Sequence, residues 1–239
     1  MDKAFKTEAI VLTKKNWREN DLLFSFYTKD FGKIEAVVTG ARRSKSKLIG
    51  PLSSVGLIEI LFVKGKVQNK ITHTYLLSPW PFKTLEEFHF LLAVREIIAR
   101  FVQVGVPSKP LWQLLKWFSE KLVASENNET KRLLLNIFMI RSLQILGYDL
   151  KTDNCVQCEL PINSVRRFSF NHKGFVCTKC HGGDMNTSQK MFETIKKIQN
   201  QDFIKELSID KSSNKELFIF LKKYLQYFLE REVRSLSLI

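Results

Sequence analysis

Along the first eighty residues, apolar and polar positions alternate in short runs separated by turn residues, the period-two signature of strands. In "GKIEAVVTGA" (Gly32–Ala41), Ile34, Ala36 and Val38 share one face, and Lys33, Glu35, Val37 and Thr39 the other. "TEAIVLT" (Thr7–Thr13) alternates more weakly. "DLLFSFYT" (Asp21–Thr28) is aromatic-rich and runs into the turn Lys29–Asp30. "GLIEILFVKGKVQNKITHTYLL" reads as two strands around Lys64-Gly65-Lys66, a hairpin signal. Five short strands predict a small barrel, and the five-stranded barrel that commonly binds nucleic acid is the OB-fold.

After "SPWP" (Ser78–Pro81) the period lengthens to that of helices. Thr84 followed by Glu86 and Glu87 is suited to a helix N-terminus, and "TLEEFHFLLAVREIIARFVQ" continues at helical spacing. "KPLWQLLKWFSEKLV" and "ETKRLLLNIFMIRSLQILGY" predict two more helices, the second capped at Gly147. In "NKELFIFLKKYLQYFLERE", Leu217, Phe218, Leu221, Tyr224, Leu225, Phe228 and Leu229 form one stripe, a core face. The expectation is an α+β multidomain chain: an OB-fold over 1–80 and a helical domain over 81–239.

Charge adds a function class to this picture. Among 239 residues, 38 Lys+Arg stand against 24 Asp+Glu, a net +14, while 44 % hydrophobic content is ordinary for a folded chain. Such an excess says nothing about fold but predicts attraction to a polyanion or an acidic surface. Met1–Thr7 is charged and carries no apolar signal core. Apolar runs such as Leu133–Ile140 are far shorter than a membrane span. A soluble, cytoplasmic protein is expected.

The four cysteines fall as Cys155-x2-Cys158 and Cys177-x2-Cys180. Two thiolates three residues apart on a tight turn supply half of a tetrahedral shell, and two such knuckles facing each other complete it. Four thiolates close the shell, so the expectation is one structural Zn2+ per chain in an insertion at about 153–185, rather than a catalytic metal with an open position. His172 and His181 lie close enough in sequence to replace a cysteine. Arg166, Arg167, Lys173 and Lys179 surround the insertion and leave a contact to nucleic acid there open.

Arg42, Arg43, Lys45 and Lys47 follow the third strand with no acidic residue among them. Most charge runs are solvated turns. This one, however, leaves a strand of the expected barrel, whose loops hold ligand. Lys14, Lys15 and Arg18 occupy the first inter-strand loop, Lys64, Lys66 and Lys70 surround the fourth-to-fifth turn, and Lys33 lies between. Trp17, Tyr27 and Phe31 are candidate platforms for base stacking. These residues make nucleic acid the expected ligand.

"NWRENDLLFSFYTKDFGKIEAVVTGARRSKS" resembles the N-terminal signature of the bacterial RecO recombination mediators. The matching positions are Trp17, Glu19, Asp21, Leu23, Tyr27, Thr28, Gly32, Lys33, Gly40, Ala41, Arg42 and Arg43. "FMIRSLQILGYDLKTDNCVQC" is similar to the family's helix running into its cysteine motif, through Phe138, Arg141, Leu143, Leu146, Gly147, Tyr148, Cys155 and Cys158. Tyr27 stands where the family more often has phenylalanine, and Ile140 replaces a leucine. The resemblance implies an OB-fold, then a helical bundle with a four-cysteine zinc insertion. It further implies a non-enzymatic, nucleoid-associated protein that binds single- and double-stranded DNA and anneals complementary strands. Such a protein helps load the RecA recombinase onto DNA covered by single-strand-binding protein. Implied partners are RecR and the acidic C-terminal tail of the single-strand-binding protein, for which Arg141, a cation within an apolar helix, is the candidate contact. Two alternatives stay open from the residues alone. One is an RNA- or ribosome-associated barrel protein. The other is a metal-dependent nucleic-acid enzyme, although phosphate-loop, dinucleotide and H-E-x-x-H motifs are absent.

Overall fold

The alternation along the first eighty residues becomes five strands in the computed structural model, which describes residues 3–200 and 209–239. They are β1 (Ala4–Asn16), β2 (Leu22–Thr28), β3 (Gly32–Val38), β4 (Gly56–Val63) and β5 (Asn69–Pro79), with a one-turn helix, α1 (Ile49–Ser53), between β3 and β4. They close in the order β1-β2-β3-β5-β4, the OB topology. β1 serves both sides of the barrel: its first half pairs with β4 and its second half with β2, with a register shift between Val11 and Thr13. A bulge of this kind bends a strand, as closure of so small a barrel requires. The interior is filled by Ala9, Phe24, Phe26, Ile34, Ala36, Val38, Ile58, Ile60, Phe62 and Ile71. The face foreseen for Ile34, Ala36 and Val38 is therefore the inner one.

Two helices, α2 (Leu85–Phe101) and α3 (Lys109–Ala124), follow the barrel. Thr84 caps α2: its Oγ1 accepts the Glu87 N–H at 3.2 Å, while the Glu87 carboxylate reaches back to the Lys83 N–H at 2.7 Å. The polypeptide changes from strand to helix near residue 80, yet the compact units divide later, into Met1–Val123 with Ser237–Ile239 and Ala124–Leu236. The β2–β3 turn explains why α2 and α3 stay with the barrel. The Lys33 ammonium donates to the carbonyls of Ala99 and Val102 at the end of α2, and the Gly105 N–H donates to Lys33 O at 2.8 Å. The Tyr27 hydroxyl donates to Ser108 O at 3.3 Å, and its ring lies 6.2 Å from that of Trp112. Gly32 has φ +63°, and a Cβ there would sit 2.2 Å from Val106 O. No side chain fits so close an approach.

The second unit begins with α4 (Asn128–Ile145), capped by Asn127 and ended as foreseen at Gly147, φ +79°. The Tyr148 N–H reaches Leu143 O and the Gly147 N–H reaches Gln144 O, the paired bonds of a Schellman motif. A small sheet follows, β6 (Val165–Ser169) between β7 (Gly174–Cys177) and β8 (Met185–Asn186), then α5 (Gln189–Asn200) and α6 (Lys211–Leu229). α6 buries the expected stripe from Leu217 to Leu225, and also Phe220. Phe168 of β6 meets Phe175, Phe220 and Tyr224 edge-on at 4.9–5.7 Å between centroids, geometry that aromatic rings favour. Buried Asn136 and Asn214 hydrogen-bond each other at 2.8 Å, joining α4 to α6. Among the described residues no helix is long and apolar enough to cross a membrane.

Candidate nucleic-acid interface and metal centre

At the end of β3 the chain turns through Gly40, whose φ of +66° glycine adopts without steric cost. Its N–H donates to Asp21 Oδ1 at 2.8 Å, across to the loop between β1 and β2. The same loop receives Arg42 twice: its N–H reaches Asn20 O at 3.1 Å and its Nη1 reaches Glu19 O at 3.3 Å. Two loops distant in sequence are thereby tied together at one end of the barrel. Arg18 lies in the first and Arg42, Arg43, Lys45 and Lys47 in the second, while Lys14 and Lys15, expected in the loop, stand on the end of β1 paired with Phe24 and Leu23 of β2; all seven side chains are exposed. The register sets Lys15 and Lys70 on one row across the sheet, with apolar Leu23 and Val37 between them, since Lys15 pairs with Leu23, Leu23 with Val37, and Val37 with Lys70. Three strand spacings put Lys15 and Lys70 about 14 Å apart, on the same face. Lys64 and Lys66 are exposed in the β4–β5 turn, with the Lys64 ammonium 4.9 Å from the Phe5 ring centroid.

Three of the expected contacts lie elsewhere. Lys33, counted above among the DNA-contacting cations, has its ammonium committed to the carbonyls of Ala99 and Val102. Burial draws its pKa below the ordinary lysine value, against the pull of Glu35, and nearby Lys15 adds to the lowering. Tyr27 is no stacking platform, being wholly buried between β2 and α3, and its burial pushes the phenol up to about 12. Phe31 packs edge-on against Phe5 and Phe62, at 5.4 and 5.3 Å. Trp17, 45 % exposed in the β1–β2 loop, is the one proposed platform that presents its ring.

The metal centre is built on the second unit. Cys155 and Cys158 lie on a knuckle closed by Cys155 N–H to Leu160 O and Glu159 N–H to Cys155 O. Cys177 ends β7, and Cys180 N–H turns back to Cys177 O at 3.3 Å. The four sulfurs all lie within 4.8 Å of one another, and Cys158 and Cys177 are 4.0 Å apart. A tetrahedral zinc shell with Zn–S of about 2.3 Å needs sulfurs about 3.8 Å apart, so these residues fit such an ion. Among the described residues neither His172 nor His181 joins the cluster; His172 Nδ1 is 3.2 Å from Ser169 Oγ at the hairpin turn. Burial raises the Cys155 thiol, but N–H groups of Cys158, Cys177 and Gln157 outweigh it and bring the pKa down to about 6. Hydrogen bonding with Cys177 and Cys158 raises Cys180 to about 12, so without a metal the cluster retains protons that a bound cation would displace. The insertion 153–185 holds four Lys and Arg against three Asp and Glu. A divalent ion with four thiolates contributes −2, so the loaded insertion is no cationic surface.

Arg141, the expected partner contact, bridges helices: its Nη1 donates to Gln144 Oε1 and to Gln199 O, at the end of α5. Gln144 and Gln199 line a polar cleft of about 320 Å3, whose wall also carries Asp149 and Asp153. Lys151 also lines it, and Asp153 is paired with Lys196 at 3.7 Å. α5 is a helix outside the expected ones, although Met191, Phe192, Ile195 and Ile198 recur at helical spacing.

Comparison with known proteins agrees with this architecture. A family model described as Recombination protein O N terminal matches residues 1–79, and one described as Recombination protein O C terminal matches 83–237. The DNA repair protein RecO of Syntrophus aciditrophicus is 29 % identical over 182 residues, covering 74 % of this chain and 69 % of that protein. Its namesake from Geobacter metallireducens is 29 % identical over 180 residues, covering 73 % and 72 %. That of Acetivibrio thermocellus is 25 % identical over 242 residues, covering 98 % and 95 %. With both terminal models matched in order over nearly its whole length, a barrel of OB topology and a four-cysteine cluster, the chain belongs to the RecO family of DNA repair proteins.

Proposed function

We propose that this protein is a non-enzymatic DNA-binding mediator of recombinational repair, which binds single- and double-stranded DNA through the basic end of its barrel. It anneals complementary strands and helps load RecA onto DNA covered by single-strand-binding protein, with RecR and the acidic tail of the single-strand-binding protein as partners. The observation that carries the DNA reading is the union of the cationic loop after β3 with the β1–β2 loop, through Asp21, Asn20 and Glu19, with Trp17 exposed in the latter and Lys14 and Lys15 on the strand leading into it. Annealing needs no bond chemistry: two strands repel through their phosphates, and a surface that displaces counterions from both lowers that barrier. The cysteine cluster takes a structural Zn2+ in this reading, which when bound closes the two knuckles into one fold.

Fluorescence anisotropy of a labelled single strand, titrated at several salt concentrations, tests the assignment. Replacement of Arg42, Arg43, Lys45 and Lys47 by Ala is expected to weaken binding and to lower the salt slope by roughly 0.7 for each phosphate that the surface no longer neutralises. Unchanged affinity and slope in that variant would remove the loop from the interface. An RNA strand of the same sequence binding much more tightly would favour the ribosomal alternative, and processed product after incubation with magnesium or manganese the enzymatic one.

A further inference from the structure

Resting on the DNA-binding reading, we propose that Asp21 is a positioning residue, a backbone staple that orders Arg42 and Arg43 at the interface. An acid beside seven cations is at odds with phosphate binding, since its charge alone weakens attraction to a polyanion. Nor does Asp21 neutralise its neighbours: among the described residues it forms no ion pair, and its Oδ1 accepts the Gly40 N–H instead. That bond holds the left-handed turn at the end of β3.

Each arginine depends on that turn. The Arg43 N–H donates to Gly40 O at 3.1 Å, and its side chain lies over Gly40, with Cδ 3.4 Å from where a Cβ would stand. Arg42 is fixed by Asn20 O and Glu19 O, the two residues before Asp21. The Asp21 backbone closes the other loop as well, with Trp17 N–H to Asp21 O at 3.2 Å and Asp21 N–H to Arg18 O at 3.4 Å. One residue thus fastens both loops. What it contributes is an acceptor atom at one place, and its charge is incidental.

Electrostatics and positioning predict opposite results. Asp21→Asn and Asp21→Ala remove the same negative charge, so charge alone requires both to bind DNA more tightly. The staple requires them to part, because the amide oxygen of asparagine still accepts from Gly40. On the salt-titrated single strand, Asp21→Asn should bind at least as tightly as wild type with an unchanged slope. Asp21→Ala should bind roughly tenfold more weakly at 0.15 M salt, with a slope lower by about 1.4, as expected when two phosphates go unneutralised. Gly40→Ala, which alters no charge but disfavours the left-handed turn, should weaken binding in the same direction, and it decides the matter if Asp21→Ala does not fold. Asp21→Ala binding as tightly as Asp21→Asn, or Gly40→Ala binding like wild type, overturns the proposal. If the variant lacking all four loop cations also binds like wild type, the DNA reading of this loop has failed with it; if only that variant is impaired, the staple alone has failed.

Discussion

Gly32→Ala offers a quantitative test of how the barrel is joined to α2 and α3. A Cβ at this position would stand 2.2 Å from Val106 O, 2.4 Å from Val106 C and 2.7 Å from Pro107 N, all backbone atoms. Ordinary contact begins near 3.4 Å, so the 106–107 segment must retreat by more than 1 Å. The retreat pulls on the Gly105 N–H to Lys33 O bond, worth about 1 kcal/mol. The left-handed backbone costs alanine about 1–2 kcal/mol, and the crowding itself about 1 kcal/mol or more. The sum is about 3–4 kcal/mol. Gly105→Ala supplies the control, because Gly105 has φ +81° with nothing within 4 Å of its Cβ position. It should lose only the backbone term, about 1–2 kcal/mol. Urea unfolding followed by tryptophan fluorescence is the assay: Trp17, Trp80, Trp112 and Trp117 all lie in the first unit, so the signal reports on it alone. Equal losses in the two variants would refute the close approach.

Three further outcomes are expected. Metal analysis of the untagged protein should give one zinc per chain, and Cys155→Ser or Cys177→Ser should lose both the metal and thermal stability of the second unit; wild-type stability without metal would make the site dispensable. Trp17→Ala should weaken single-strand binding by about 1–3 kcal/mol while affecting duplex binding less, and quenching of tryptophan fluorescence by an oligonucleotide should disappear in that variant. Tyr27, with its folded pKa raised by burial from 10.0 to about 12, holds its proton longer in the folded state. Its contribution to stability is complete below pH 10 and declines as pH rises towards 12, so Tyr27→Phe should flatten that part of the stability–pH curve; an identical alkaline decline in both proteins would contradict the burial.

The strands were legible because alternation in "GKIEAVVTGA" is a local property, and the cysteine cluster because spacing is the chemistry. What alternation cannot supply is the identity of whatever covers a face. Alternation puts Lys33 on the outer side of β3, where a DNA contact is expected, but that side lies under the end of α2, and its ammonium is an internal clasp instead. The same holds for Tyr27, whose strand position says nothing of Trp112, 85 residues later. The strand-to-helix change in texture marks a change of period, whereas compactness follows contacts such as Lys33 with Ala99, and so the units divide elsewhere. The β6–β7 hairpin was missed inside the cysteine segment because its strands are only five and four residues long.

The barrel is not equally strong all round. β3 meets β5 over just two residue pairs, Ala36 with Asn69 and Val37 with Lys70, supplemented by Asn69 Nδ2 to Glu35 O at 2.9 Å. Every other junction carries a ladder of six or more pairs. This seam is therefore where the cylinder parts first, and its amides should exchange with solvent well ahead of those shared between β1 and β4. Lys70 sits on one lip of the seam, and the Leu23–Lys15 row continues from the other. In the proposed DNA complex a strand bridging both lips would span the gap and act as a hoop on the barrel, so amide protection at the seam is expected to rise with strand concentration.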